Sequence, residues 1–285
     1  MTLTLMAVHA HPDDESSSTG GILARYSAEG VRTVVVTCTN GEYGDGPGGV
    51  KPGAEGHDPA SVARTRLVEL DRAIESLGVT HLERLGYHDS GMRDWEYKEH
   101  DHAFCNIPVS EGASRLIELF DRYEPQVVVT YDENGGYGHP DHVQAHRITM
   151  AALDKHPVPA KAYLTARRRR DFAQIRELLA AQGIEMPTPA TPAPSTAPVD
   201  PQREAERAAE LERREARITT AIDVADYAER KRAALAAHAS QLDNSWWLRI
   251  PPEAMTVVFG TETFIRAHDT TGAPVPETDL FAGLH

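Results

Sequence analysis

The sequence predicts an α/β fold: a Rossmann-like, mostly parallel sheet with helices on both faces, built as one domain with a C-terminal strand-helix addition. Three observations predict it. Apolar runs and helix-period segments alternate through residues 1–155; the runs are continuous and β-branched, as in strands covered on both sides; and Gly or Pro stands at most junctions.

Residues 3–8 form the first apolar run, followed by a helical stretch over residues 19–29 that Gly30 ends. Residues 32–37 are the next strand, which completes a βαβ unit, and residues 41–59 are a Gly/Pro-rich loop. From residue 60 to 77 the apolar side chains Val62, Leu67, Leu70, Ile74 and Leu77 recur at helical spacing, and Gly78 closes the helix. Residues 81–87 make a short third strand and residues 111–123 a helix. Residues 126–131 are a fourth strand, and residues 140–153 a helix with Pro140 in its first turn.

The second half changes character. Residues 166–217 read as a helical insertion containing a Pro/Ala/Thr tract at 187–201, too poor in apolar side chains to build a core. Residues 218–224 then look like one more strand and 225–242 like an amphipathic helix. One strand and one helix cannot easily form a core alone, so residues 218–285 are expected to complete the domain whose core is residues 1–165.

The chain has 285 residues, with 29 Lys and Arg against 43 Asp and Glu, a net charge of −14. Such a surface repels phosphate backbones and anionic membranes, which argues against nucleic acid as the main partner. No run approaches the roughly 18 apolar residues of a membrane span, and the first residues lack the basic and apolar regions of a signal peptide. Two cysteines, Cys38 and Cys105, do not make a disulfide framework, so a cytoplasmic setting is expected. The oddity is 14 His in so acidic a chain.

Their placement carries the function. Open α/β sheets bind ligands at the carboxyl ends of their strands. Here those ends read His9-Ala10-His11-Pro12-Asp13-Asp14-Glu15, Thr39-Asn40-Gly41-Glu42, His88-Asp89-Ser90, and Asp132 onward through His139-Pro140-Asp141-His142. Two of these loops share a pattern, His-Pro-Asp-Asp and His-Pro-Asp-His, in which Pro pre-sets a turn. A site drawing His11, Asp14 and His142 together has three mixed N/O ligands, which suits catalytic zinc with a fourth position for water; two His and one carboxylate also suit iron(II). A single such turn is usually only a turn; the pair, after two strands of one sheet, is not. No His-Glu-x-x-His motif and no Gly-x-Gly-x-x-Gly after the first strand is present, which excludes a helical zinc motif and a dinucleotide fingerprint.

The two motifs, with residues 66–70, Asp89-Ser90-Gly91-Met92 and the closing residues 276–284, resemble the PIG-L/LmbE family of zinc-dependent N-deacetylases over nearly the whole chain apart from residues 171–217. The resemblance implies that His11, Asp14 and His142 bind zinc and that Asp13 is the general base. It further implies that Tyr137 stabilises the oxyanion and that His139, oriented by Asp141, adds a second charge-stabilising or proton-donating group. Arg66, Asp89 and Met92 match sugar-holding positions of the family, and Glu42 is read as a further rim residue. The bland alternatives are an exposed helical Arg66 paired with Glu69 or Glu75, a Met92 that merely packs, and His9, His146 and His238 as hydrogen-bonded packing groups.

The expected activity is removal of an N-acetyl group from an N-acetylglucosamine-type conjugate such as N-acetylglucosaminyl-inositol. The alternatives are the family's mycothiol S-conjugate amidase branch and a catalytically inactive, metal-dependent sugar-binding protein. Residues 16–19, Ser-Ser-Ser-Thr, are closer to the deacetylases, whereas residues 104–108 and 130–136 look like the amidase branch. The expected partner is a small amino-sugar conjugate, with a homo-oligomer left open.

Overall fold

A computed structural model describes residues 2–181, 183–184, 206, 209, 212–242 and 246–284. Seven strands form one sheet: β1 (Thr4–His9), β2 (Arg32–Thr39), β3 (His81–Tyr87), β4 (Val127–Thr130), β5 (Lys161–Ala166), β6 (Thr220–Asp223) and β7 (Thr261–Asp269), in the order β3-β2-β1-β4-β5-β7-β6. The first five are parallel, while β7 runs antiparallel to both β5 and β6. The chain leaves β1 in one direction to β2 and β3 and in the other to β4 and β5. The crevice beyond the ends of β1 and β4 is therefore the topological switch point.

Strand β1 shows why the sheet is central. All six of its residues are buried, and its pleat sends Leu5 and Ala7 to one side and Met6 and Val8 to the other. Leu5 and Ala7 pack with Ile22, Leu23 and Tyr26 of α1 (Asp14–Ala28), with Leu70, Ile74 and Leu77 of α2 (Pro59–Leu77), and with Phe281 of the C-terminal tail. Met6 and Val8 pack with Leu116 and Phe120 of α3 (Val109–Tyr123) and Ile148 of α4 (Pro140–Leu153). Helices on both faces are thus what a two-sided apolar strand requires. Helix α2 has clear ends: Asp58 accepts the Ala60 N–H, Pro59 opens the first turn, and Gly78 takes the left-handed conformation that stops it.

Beyond α4 the structure holds more than the sequence suggested. Strands β5 and β7 were not anticipated, nor was α7 (Pro252–Phe259); α5 (Arg169–Ala180) falls in the expected insertion. The helix expected over 225–242 is α6 (Ala228–Ala237), stopped at His238 before a short turn at Ala239–Leu242. β6 enters the main sheet through β7, so the C-terminal strands extend the core sheet. The tail is pinned by Glu277. Its carboxylate accepts hydrogen bonds from Lys161 Nζ (2.5 Å), Tyr163 Oη (2.9 Å), Arg266 Nη1 (3.0 Å) and Thr220 Oγ1 (3.1 Å), with Lys161 and Glu277 both fully buried side chains. The Pro-rich tract at 187–201 lies outside the described residues. No helix among the described residues is long and apolar enough to cross a membrane.

Candidate functional site

Strand β1 ends at His9, and the His-Pro-Asp turn feeds straight into α1, which begins at Asp14 rather than at the expected Thr19. Starting the helix there places His11 and Asp14 one turn apart on the switch point, so that the Asp14 carboxylate also accepts the His11 backbone N–H at 2.9 Å. After β4 the chain makes a helical turn at Gly135–Gly138 broken at Gly136, and α4 then starts at Pro140 with His139 as its N-cap. Gly135 has φ +62°, and a Cβ there would stand 2.7 Å from the His142 Cβ. Glycine lets this loop close onto the histidine.

Three donor atoms meet at the switch point. His11 Nδ1 lies 3.3 Å from Asp14 Oδ2, Asp14 Oδ2 lies 3.4 Å from His142 Nε2, and His142 Nε2 lies 3.3 Å from His11 Nδ1. A tetrahedral ion with bonds of about 2.0–2.1 Å requires ligand-to-ligand edges of about 3.3–3.4 Å, so the triangle is one face of such a shell. All three residues are buried. Burial works against the Asp14 charge, but His142 and His11 beside it hold the carboxyl well below the usual range. His139 also falls close to His11 and His142, and a second grouping joins His11, Asp89, His139 and Asp141.

Hydrogen bonding separates these groupings. His11 Nε2 is 3.1 Å from Asp141 Oδ2, and a carboxylate only accepts, so this nitrogen donates, and Nδ1 is the ring atom that faces Asp14 and His142. His139 Nδ1 accepts the Asp141 backbone N–H at 3.2 Å, which puts the proton of its ring on Nε2. Burial, and then His11 and His142 nearby, push the His139 pKa down to about 2, so the ring is a neutral N–H donor.

Asp141 therefore differs from expectation: its carboxylate orients His11, not His139. It is fully buried and is held in turn by the Ser90 N–H at 2.9 Å and the Ser90 hydroxyl. The physical reason is the helix start. At the first turn of α4 the Asp141 side chain points across to β1, and only its N–H faces back to the cap residue.

Arg66 also differs. Expected to hold substrate, it is buried within the protein, donating to Gly41 O (2.6 Å), Pro12 O (2.6 Å) and Asp13 Oδ2 (3.1 Å). It braces Asp13 instead, and neither Glu69 nor Glu75 is its partner in those bonds. Asp13 itself stands at φ 120°, ψ −24°, a left-handed conformation that costs a non-glycine residue roughly 1–3 kcal/mol and that clusters at functional sites. Its carboxyl is raised by burial, an effect the Arg66 charge only partly opposes.

Asp89 lies 3.6 Å from His11 Nε2 and accepts from Gly91 N and Tyr43 N; Glu42 is buried with one oxygen 2.7 Å from His88 Nδ1 and the other without a partner. Met92 and Tyr137 are exposed, Tyr137 at 68%. Its ring stands edge-on to His139 and His142, and desolvation, then the Asp14 charge, raise the phenol above its ordinary value, so it stays protonated. Sequence reasoning missed Ser90 as a brace and Tyr131, whose ring stacks on His142 at 4.2 Å and whose hydroxyl accepts the Ala10 N–H. His9 and His146 take the plain roles expected of them, bonded to Thr19 Oγ1 and to Tyr131 O.

Fold and site together define an α/β protein with a His/Asp group able to hold a metal ion at the switch point of its sheet, an arrangement found in metal-dependent hydrolases. The chain belongs to the PIG-L family, described as GlcNAc-PI de-N-acetylase, which it matches over residues 6–153. It is 38% identical to the mycothiol S-conjugate amidase of Streptomyces coelicolor over 99% of this chain and 97% of that one. It is equally 38% identical to the 1D-myo-inositol 2-acetamido-2-deoxy-alpha-D-glucopyranoside deacetylase of Acidothermus cellulolyticus, over 100% and 96%. Among solved structures, the N,N'-diacetylchitobiose deacetylase of Pyrococcus horikoshii superposes with TM-score 0.59 at 19% identity over 92% of this chain and 83% of that one. The 4-carboxy-2-hydroxymuconate hydratase of Pseudomonas putida superposes with TM-score 0.60 at 17% identity, over 96% and 99%. One fold thus carries a deacetylase and a hydratase, and the reaction must be argued from the site.

Proposed function

We propose that the chain is a zinc-dependent hydrolase that removes the N-acetyl group from an N-acetylglucosamine-type conjugate such as N-acetylglucosaminyl-inositol. The observation that carries this reading is the triangle of His11 Nδ1, Asp14 Oδ2 and His142 Nε2, whose 3.3–3.4 Å edges fit a tetrahedral ion with one position left over. When bound, zinc supplies Lewis acidity, polarising an acyl oxygen and bringing the pKa of water towards about 7.

The remaining roles belong to the chain. Asp13, an accepting carboxylate that is 25% exposed, takes the proton of the attacking water and returns it to the leaving amine, so that water and amide become acetate and a free amino sugar. The neutral His139 Nε2–H and the Tyr137 hydroxyl are donors for the oxygen that gains charge. Asp89, Glu42 and Met92 are assigned to the sugar side of the site; Met92 is exposed, whereas Asp89 and Glu42 are buried beside it. Two free thiols, Cys38 and Cys105, fit a cytoplasmic setting.

A second reading, a thiol-conjugate amidase using the same groups, is favoured by the amidase relative at 38% identity. Metal-stripped protein reconstituted with zinc or iron(II) and given N-acetylglucosaminyl-inositol and a mycothiol S-conjugate side by side separates the two. Acetate release from the first substrate, restored best by zinc and lost in Asp13→Ala with metal retained, is the expected result. Faster cleavage of the S-conjugate selects the amidase, and no hydrolysis of either with either metal leaves a sugar-binding protein.

A further inference from the structure

The C-terminal segment reaches the site through a residue with no part in the chemistry just described. His238 ends α6, and its ring is completely buried. Its Nε2 stands 2.7 Å from Glu15 Oε1, and since a carboxylate only accepts, Nε2 donates. Glu15, also completely buried, uses its other oxygen to accept the backbone N–H of Asp13 at 3.0 Å. Asp13 is the residue held at φ 120°. Neighbours of His238 hold other elements at the same corner: Ser240 N and Oγ donate to Glu69 of α2 at 2.7 and 2.6 Å, and the Gln241 side chain bonds both Asp45 N and Asp45 O at 3.0 Å.

We propose that His238 is a positioning residue for Asp13, acting through Glu15. A carboxylate free to rotate would satisfy the Asp13 N–H in several arrangements, and relaxed ones would let the backbone leave its left-handed conformation. Oε1 accepts from the Ser16 hydroxyl at 2.5 Å as well as from His238 at 2.7 Å; Ser16 is the next residue and moves with Glu15, so His238 is the donor that ties Oε1, and with it the side on which Oε2 meets Asp13, to a distant element of the fold. Arg66 holds the Asp13 carboxylate from the other side. The base is thus gripped at both ends, once from α2 and once from the C-terminal half of the chain. The inference rests on Asp13 being the general base.

The test compares His238→Gln with His238→Asn in the full-length, zinc-loaded protein. The Gln amide reaches the position of Nε2, whereas the Asn amide stops near Nδ1; both are polar and uncharged. With N-acetylglucosaminyl-inositol as probe, His238→Asn is expected to lower kcat by roughly 10- to 100-fold with KM within about twofold and one metal still bound, and His238→Gln to recover most of the loss. In its crystal structure His238→Asn shows Asp13 outside positive φ, a readout that needs no substrate. Ser240→Ala, which loosens the same turn without touching Glu15, leaves kcat unchanged. Equal activity of the Asn and Gln variants, a loss seen only in KM or metal content, or Asp13 still at φ near 120° in His238→Asn overturns the proposal. Asp13→Ala run alongside keeps the cases apart: its full activity sinks the base assignment, whereas an inactive Asp13→Ala beside a fully active His238→Asn sinks only the positioning role.

Discussion

Replacing Asp141 with Asn removes a negative charge from behind His11 while keeping the shape of the side chain. Asp141 Oδ2 accepts from His11 Nε2 at 3.1 Å and from Ser90 N at 2.9 Å, and Oδ1 accepts from the Ser90 hydroxyl. An Asn amide oxygen in the place of Oδ2 keeps the first two bonds, and its NH₂ group can donate to the Ser90 hydroxyl, which reverses. Only the charge is lost. A hydrogen bond to a charged group contributes about 1.5–3 kcal/mol against about 0.5–1.5 for a neutral one, a difference of about 1–1.5 kcal/mol. At about 1.4 kcal/mol per factor of ten, Asp141→Asn should weaken zinc binding about tenfold. Asp141→Ala removes all three bonds, leaves the buried Ser90 N–H unsatisfied and frees the His11 ring, so it should weaken zinc towards 100-fold and destabilise the fold by about 1–3 kcal/mol. Competition titration against a chromophoric chelator measures the affinities, and thermal melting of the metal-free proteins measures the stability. Native affinity in both variants would refute the assignment of Asp141 to His11, and identical losses in both would refute the separation of charge from geometry.

Metal removal should itself be visible in a melt. Zinc held at 100 times its Kd adds about 2.7 kcal/mol to the folded state, which for a domain of this size corresponds to about 4–5 °C in Tm; the shift should vanish in His11→Ala, and a zinc-induced shift persisting there counts against the triangle. Tyr137→Phe should lower kcat by about 10²–10³-fold with metal content unchanged. Because the ring is 68% exposed, stability should move by no more than about 0.5 kcal/mol, measured by denaturant titration. Glu277→Ala should cost about 3–5 kcal/mol in the same titration, because it strands the fully buried Lys161 ammonium; a cost below about 1 kcal/mol would mean that the tail is not anchored there.

The alternation of elements through α4 was legible because β1, β2 and β4 are buried on both faces and so carry unbroken apolar runs. β5 and β7 were not. β5 opens on a buried lysine whose charge is met by Glu277, more than a hundred residues away, and β7 is mostly polar, with only Phe264, Ile265 and Ala267 apolar among its nine residues. The start of α1 was placed late because its first turn, Asp14-Glu15-Ser16-Ser17, is polar yet mostly buried, its carboxylates facing partners that local pattern cannot reveal.

The same divide runs through the site. Residue type and spacing alone pointed to His11, Asp14 and His142, since two His-Pro-Asp turns at the ends of strands in one parallel sheet must open onto one edge. Which carboxylate braces which imidazole depends on directions set by packing. Asp141 turned out to serve His11 because α4 starts at Pro140, and Arg66 turned inward because α2 lays it under the Pro12 and Gly41 carbonyls. Glu15 and His238 stand 223 residues apart in the chain, and only the docking of α6 beside α1 joins them. Sequence by itself determined the kinds of donor and the strand ends that carry them, because these follow from local pattern. Tertiary structure decided the hydrogen-bond partners, because each buried donor must find its acceptor within about 3 Å, wherever in the chain that acceptor lies.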